Sequence, residues 1–108
     1  MPDVENRAAR IAALNDQLRT TFQGGEVLMT RGIQGSGQVA EILAKVRSHR
    51  DWGEDSDPHH EHDFGVIRHD GERIYWKIDY YDRDLCGGED PLSPNCRRVL
   101  TVMLAMEY

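Results

Sequence analysis

The sequence has few of the features that mark secreted, metal-stabilised or membrane-bound proteins. Only two of its 108 residues are cysteines, and the spacing from Cys86 to Cys96 matches no zinc motif. No apolar run approaches the roughly 20 residues that a membrane-spanning helix needs. The first residues are acidic and polar, unlike a secretory signal. We therefore expect a cytoplasmic protein, and the redox state of the two cysteines stays open.

Basic residues are also scarce, with 13 Lys or Arg against 19 Asp or Glu and a formal net charge of −6. The imbalance is concentrated in residues 51–90, which contain thirteen acidic and four basic residues. A surface this acidic repels nucleic acid and attracts cations or basic protein surfaces. We expect neither nucleic acid nor a membrane to be a direct partner.

A β-hairpin around residues 70–71 is the clearest local structure. The Asp-Gly pair there lies between two runs of β-type residues, which is typical of a type I′ turn. Apolar residues alternate along the second strand, so Trp76 should face the core. A hairpin that pairs His69 with Glu72 would also place His62 directly opposite Asp79, within reach of a hydrogen bond.

The rest of the chain predicts two helices and two more strands. Residues 3–22 follow a helical spacing of apolar residues, with the arginines on the solvated face. The apolar positions are Ala8, Ile11, Leu14, Leu18 and Phe22, and the arginines are Arg7, Arg10 and Arg19. A strand over 26–31, a loop over 34–37 and a second helix follow. Residues 98–107 fit either a strand or a short helix, and their β-branched residues favour the strand. Together these elements predict one α+β domain, residues 1–108: a mainly antiparallel sheet of about four strands with two helices packed on it, in the order α-β-α-β-β-β.

Several motifs of the chain are familiar as a set. They are RIAALND at 10–16, DPHxEHDFG at 57–65, WKIDYYD at 76–82, EDP at 89–91 and RVLT at 98–101. In these motifs the chain resembles a small bacterial domain family of unknown function, often carried on plasmids and prophages. The resemblance implies a short cytoplasmic protein of a mobile element, and it brings no activity with it. It marks a set of family-typical positions: His59, Glu61, His62, Asp63, Lys77, Asp79 and Asp82.

The histidines and carboxylates of this region suggest one kind of site. His59, His62, Asp63 and Asp79 are candidate catalytic residues and candidate ligands of a divalent metal, because imidazole and carboxylate groups together suit zinc, manganese or iron. A hydrolase could use such a metal to generate hydroxide. The alternative is that these side chains only hydrogen-bond the loop together, with Asp57 forming a turn before Pro58.

The acidic residues suggest a second kind of site, a surface that binds a partner. Its candidate residues are Asp51, Glu54, Asp55, Asp57, Glu61, Asp82, Asp84, Glu89 and Asp90. Carboxylates spaced like phosphates can occupy a basic groove of a nucleic-acid-binding protein. We therefore favour a non-enzymatic protein without a cofactor, whose acidic end docks a basic protein surface, as an anti-CRISPR or anti-restriction inhibitor would. A small metal-dependent hydrolase is the alternative, and the oligomeric state stays open.

Overall fold

The computed structural model of the protein describes residues 2–53 and 56–108. Its helices are α1 (Pro2–Thr21), α2 (Arg31–Gln34) and α3 (Val39–Ser48). Its strands are β1 (Glu26–Met29), β2 (Phe64–His69), β3 (Glu72–Tyr81) and β4 (Arg97–Leu104), and a 3-10 turn (Ala105–Glu107) follows β4. No helix in the described ranges is long and apolar enough to cross a membrane.

The four strands form one sheet in the order β1-β4-β3-β2. The pairs β2–β3 and β3–β4 are antiparallel, whereas β1 and β4 run parallel. The predicted α+β class is therefore confirmed, with a mixed sheet. The structure adds a short third helix to the two predicted, because α2 includes Arg31, where the first strand was expected to end, and Gln34, where the loop was expected to begin. The carboxylate of Glu107 accepts hydrogen bonds from the Gly32 N–H and the Thr30 hydroxyl and so holds the start of α2.

The hairpin forms as the sequence predicts. Asp70 and Gly71 have φ values of 55° and 81°, as a type I′ turn requires. His69 pairs with Glu72, and the pairing continues from there to the start of β2 at Phe64. This register fixes which side chains of β3 face the helices and which face the other side of the sheet.

The core lies between one face of the sheet and the three helices. Trp76 at its centre is fully buried, which confirms the prediction for its strand face. The buried residues that form this cluster are Leu18, Ile33, Ile42, Val46, Ile67, Ile74, Trp76, Ile78, Leu100 and Val102. Gly65 on β2 lies directly across from Trp76 and leaves room for its indole ring.

The buried face of α1 differs from the predicted one. Leu14 remains 40% exposed, whereas Asn15 is fully buried and Arg19 is 3% exposed. The helix is therefore turned so that Ile11 and Leu18 share their buried face with two polar residues. Spacing of apolar residues alone could not reveal this rotation, because it treats every polar residue as solvated.

Candidate functional site

The loop between α3 and β2 is held in place by the buried carboxylate of Asp57. Oδ1 of this carboxylate accepts a hydrogen bond of 2.9 Å from the His62 N–H, and the backbone N–H of Asp57 donates to the Gly53 carbonyl. His60 and His62 both adopt left-handed backbone conformations, with φ values of 59° and 55°. Asp57 thus closes the loop, but not through the Asx turn expected before Pro58: its side chain accepts the N–H of His62, five residues on, whereas an Asx turn bonds the backbone two residues on.

The conformation of His62 makes the predicted contact with Asp79 wrong. The pairing extends as far as Asp63, whose carbonyl accepts a hydrogen bond from the Ile78 N–H. At His62 the positive φ then turns the chain away from the line of β2. The ring of His62 points towards α1, while the carboxylate of Asp79 pairs with Lys77. A correct register therefore did not suffice, because the contact also required His62 to be in extended conformation.

His62 lies between two carboxylates and on an aromatic ring. Its Nδ1 donates to Asp16 on α1 at 3.0 Å, and its Nε2 lies 3.6 Å from Asp57 Oδ2. Its ring stacks on the indole of Trp52, with 3.8 Å between centroids and 3° between planes. Trp52 in turn meets Trp76 edge to face at 5.9 Å. The core thereby fixes the position of His62.

A second group of polar residues is buried beside this histidine. The side-chain amide of Asn15 donates to the Tyr80 hydroxyl at 2.8 Å and to the Glu61 carbonyl at 2.9 Å. Its Oδ1 accepts a bond of 2.9 Å from the buried guanidinium of Arg98, which also donates to the Pro91 carbonyl. Burial raises the pKa of Tyr80, so the phenol stays protonated and serves as a hydrogen-bonding group. This network joins α1, β3, β4 and both loops at one end of the sheet.

Two carboxylates at this end carry charge that nearby cations do not neutralise. Burial raises the pKa of Glu61 and of Asp63, and repulsion from neighbouring carboxylates, including Asp57, adds to both increases, while attraction to His59 partly offsets them. Among the described residues, neither group has a cation within ion-pair distance, since Arg7 pairs with Asp90 at 2.8 Å and Lys77 pairs with Asp79. At the end of the sheet where β2 begins and β3 ends, burial and like charge therefore outweigh the attraction of the nearby cations.

The candidate metal ligands do not converge. His59 is exposed in the loop, His62 faces Asp16, and Asp79 is paired with Lys77 on the sheet face opposite the helices. Asp63 is half-buried and lies close enough to Asp57 and Asp79 to feel their charge. Within residues 2–53 and 56–108, no three His, Cys, Asp or Glu side chains are arranged to hold a metal ion.

The candidate docking residues divide into several groups. Asp51 and Asp84 are exposed, Asp82 and Glu89 are half-exposed, and Glu54 and Asp55 lie outside the described residues.

Two of these candidates have local structural roles instead. Asp57 is only 2% exposed, so its assignment to the docking surface was wrong; a partner could not touch a carboxylate that closes the loop from inside. Asp90 is paired with Arg7 and also accepts a bond from the Leu92 N–H, and these bonds lower its pKa. Asp82 remains at the surface, although its Oδ1 accepts the N–H groups of Asp84 and Cys86.

Several residues that shape the site were not among the predicted site residues. They are Asn15, Asp16, Arg19, Trp52 and Arg98. The motif RIAALND contained Asn15 and Asp16, and the motif RVLT contained Arg98, so the family motifs could have drawn attention to these three. The contacts of Asn15 with Glu61, Asp16 with His62 and Arg98 with Asn15 span 46 to 83 residues of the chain, so no local pattern could have predicted them.

Comparison with known proteins yields one family and no relative of known activity. A protein-family model described as "Protein of unknown function (DUF3768)" matches residues 27–107. No curated protein and no solved structure matches the chain.

Proposed function

The chain belongs to the DUF3768 family, and we propose that it functions as a binding protein whose acidic end docks a basic surface of another protein. The acidic end is the group of carboxylates at the start of β2 and in the loop after β3: Glu61, Asp63, Asp82, Asp84 and Glu89. The observation that supports the proposal is that Glu61 and Asp63 are partly buried without a cationic partner among the described residues. A protein normally pairs such charges, because partial burial weakens their hydration.

The carboxylate of Asp57 adds a second argument. It is buried, and its Oδ2 has no hydrogen-bond partner among the described residues. Its charge acts on both Glu61 and Asp63, so it strengthens the negative potential at the acidic end from inside the fold. A fixed charge of this kind is screened by salt much less than an exposed one.

A guanidinium or ammonium group from a partner would relieve this repulsion. The partner would supply the missing counter-charge, and a basic groove that normally holds nucleic acid has suitable chemistry, because carboxylates can take the positions of phosphates. An inhibitor of a CRISPR or restriction complex would act in this way. The proposal needs no catalytic group. The segment from Asp57 to Asp63, which we call the histidine loop, would hold the carboxylates in place.

The test is the binding of an oligoarginine peptide, measured by calorimetry at low and high salt. We expect Glu61→Gln/Asp63→Asn to weaken binding by roughly 2- to 30-fold, since each of the two charge pairs lost contributes about 0.2–1 kcal/mol. The matched control is Glu41→Gln/Glu72→Gln, which removes the same charge from exposed acids elsewhere on the surface. Equal weakening in both variants would mean that only net charge matters, and would overturn the proposal.

The variant should remain folded, which makes the result interpretable. The pKa values of Glu61 and Asp63 are raised above their ordinary values of 4.5 and 3.8. Groups of this kind stabilise the fold below those values, and the contribution is lost as pH rises through the folded-state pKa. Removing both charges should therefore leave the free energy of unfolding at neutral pH unchanged or higher, as urea denaturation can verify.

A further inference from the structure

A cleft between α1 and α3 contains an unusual concentration of positive charge. Its volume is about 290 Å³, and its lining residues are Asp16, Arg19, Thr20, Arg47, Arg50 and Trp52. We call it the arginine cleft. Three guanidinium groups, one hydroxyl group and one indole ring face a single carboxylate there, and none of the carboxylates of the acidic end lines it.

Hydrogen bonds to the backbone fix two of these arginines. Arg19 Nη1 donates to the carbonyls of Val46 and Arg47 at 2.9 and 3.1 Å, near the C-terminus of α3. In return, Arg47 Nε donates to the Thr20 carbonyl on α1 at 3.0 Å. The two arginines therefore cross between the helices in opposite directions and hold them together. Their positions are fixed by the fold before any ligand arrives, which lowers the entropy cost of binding.

The charge in the cleft is only partly neutralised. The side chain of Arg19 is 3% exposed, so its charge acts through protein more than through water. Its carboxylate partner, Asp16, also accepts from His62 and is thus shared between two donors. Within the described residues, Arg50 makes no ion pair and no side-chain hydrogen bond. An anion entering the cleft would meet the guanidinium of Arg50 and the exposed part of Arg47.

We propose that the arginine cleft binds a small ligand through a phosphate group. Guanidinium groups recognise phosphate through paired N–H donors, which makes arginine well suited to it. The ring of Trp52 is already engaged within the protein, because it stacks on His62 and the guanidinium of Arg19 lies over it, 5.1 Å from its centroid. The cleft therefore recognises the phosphate itself, and the indole forms an apolar wall beside it.

The test is an NMR titration at constant ionic strength, with chloride as the reference anion. Inorganic phosphate and pyrophosphate should shift the Nε–Hε resonances of Arg47 and Arg50 saturably, and pyrophosphate should bind more tightly because it carries more charge. Arg50→Gln should weaken binding about tenfold or more, as the loss of one charge-assisted hydrogen bond does. The matched control is Arg73→Gln, which removes an exposed arginine from the hairpin.

The result that overturns the proposal is equally specific. Linear shifts without saturation up to tens of millimolar pyrophosphate, or the same affinity in Arg50→Gln and the wild type, would show that the cleft is not a phosphate site. A nucleoside monophosphate in the same titration separates the two sources of the group. Binding equal to that of inorganic phosphate indicates a phosphate monoester as the ligand, and weaker binding indicates the free ion.

Discussion

The contact between Gly65 and Trp76 permits a sharp test of how the core supports the histidine loop. A Cβ atom on Gly65 would lie 2.6 Å from Cε2 and 2.8 Å from Cζ2 of the indole. Trp76 is fully buried and cannot move aside freely. Gly65→Ala should therefore destabilise the protein by about 1–3 kcal/mol, the usual cost of overpacking a core.

The direction of this effect is informative, because the backbone alone predicts the opposite. Gly65 has no positive φ, so alanine fits its conformation. Alanine in a strand interior is otherwise favoured over glycine by about 0.5–1 kcal/mol. Any loss of stability must then come from the collision with Trp76.

Thermal unfolding measures the effect, at about 4–8 °C of Tm for each kcal/mol in a domain of this size. Gly53→Ala is the matched control, because among the described residues the nearest atom to a Cβ there would be the Ser56 hydroxyl, at an ordinary 3.7 Å. In a Trp76→Phe background, which lacks the colliding atoms, the cost of Gly65→Ala should shrink or reverse. An unchanged Tm for Gly65→Ala, or an equal loss in both backgrounds, would refute the reasoning. Because Trp76 supports Trp52 and thereby His62, the same variant should also shift the NMR signals of the His62 ring.

Three further predictions concern the buried polar groups. Asn15→Leu should cost about 1–3 kcal/mol in urea denaturation, because the buried guanidinium of Arg98 loses an acceptor. Asp57→Ala should cost a similar amount by leaving the His62 N–H unpaired, whereas Asp57→Asn retains an acceptor oxygen and should cost less; equal losses would contradict the role of Oδ1. Burial lowers the pKa of His49 below its ordinary 6.5, so its contribution to stability is complete above that pH and is lost as pH falls through the folded-state pKa. Replacing His49 with Gln should flatten this part of the stability profile, and an unchanged slope would contradict the assignment.

The parts of the fold that the sequence predicted are those determined by local chemistry. The Asp70-Gly71 turn has the dihedral angles that its residues favour, and the alternation along β3 placed Trp76 correctly in the core. The last segment forms the strand that its β-branched residues favoured, since β4 runs to Leu104 and only a 3-10 turn follows it. Turn type and strand alternation are short-range properties, so a single sequence contains enough information to predict them.

The parts that the sequence did not predict depend on contacts between distant segments. The rotation of α1 follows from the burial of Asn15 and Arg19, whose partners lie on other elements. The position of His62 follows from one left-handed residue and from Asp16, 46 residues away. The sequence did indicate the region, because the DPHxEHDFG motif contains both the loop and its carboxylates. It could not show which carboxylates are buried, which are paired and which remain available.

The most direct test of the acidic end is to locate where a cationic probe binds. An oligoarginine peptide can be titrated into the isotopically labelled protein while the backbone amide signals are followed by NMR. We predict that the largest shifts occur at Glu61 and Asp63 and in the loop over 82–90, and that Glu61→Gln/Asp63→Asn suppresses them. Shifts centred instead on the exposed acids of the hairpin turn, Asp70 and Glu72, or spread evenly over all exposed carboxylates, would contradict the account.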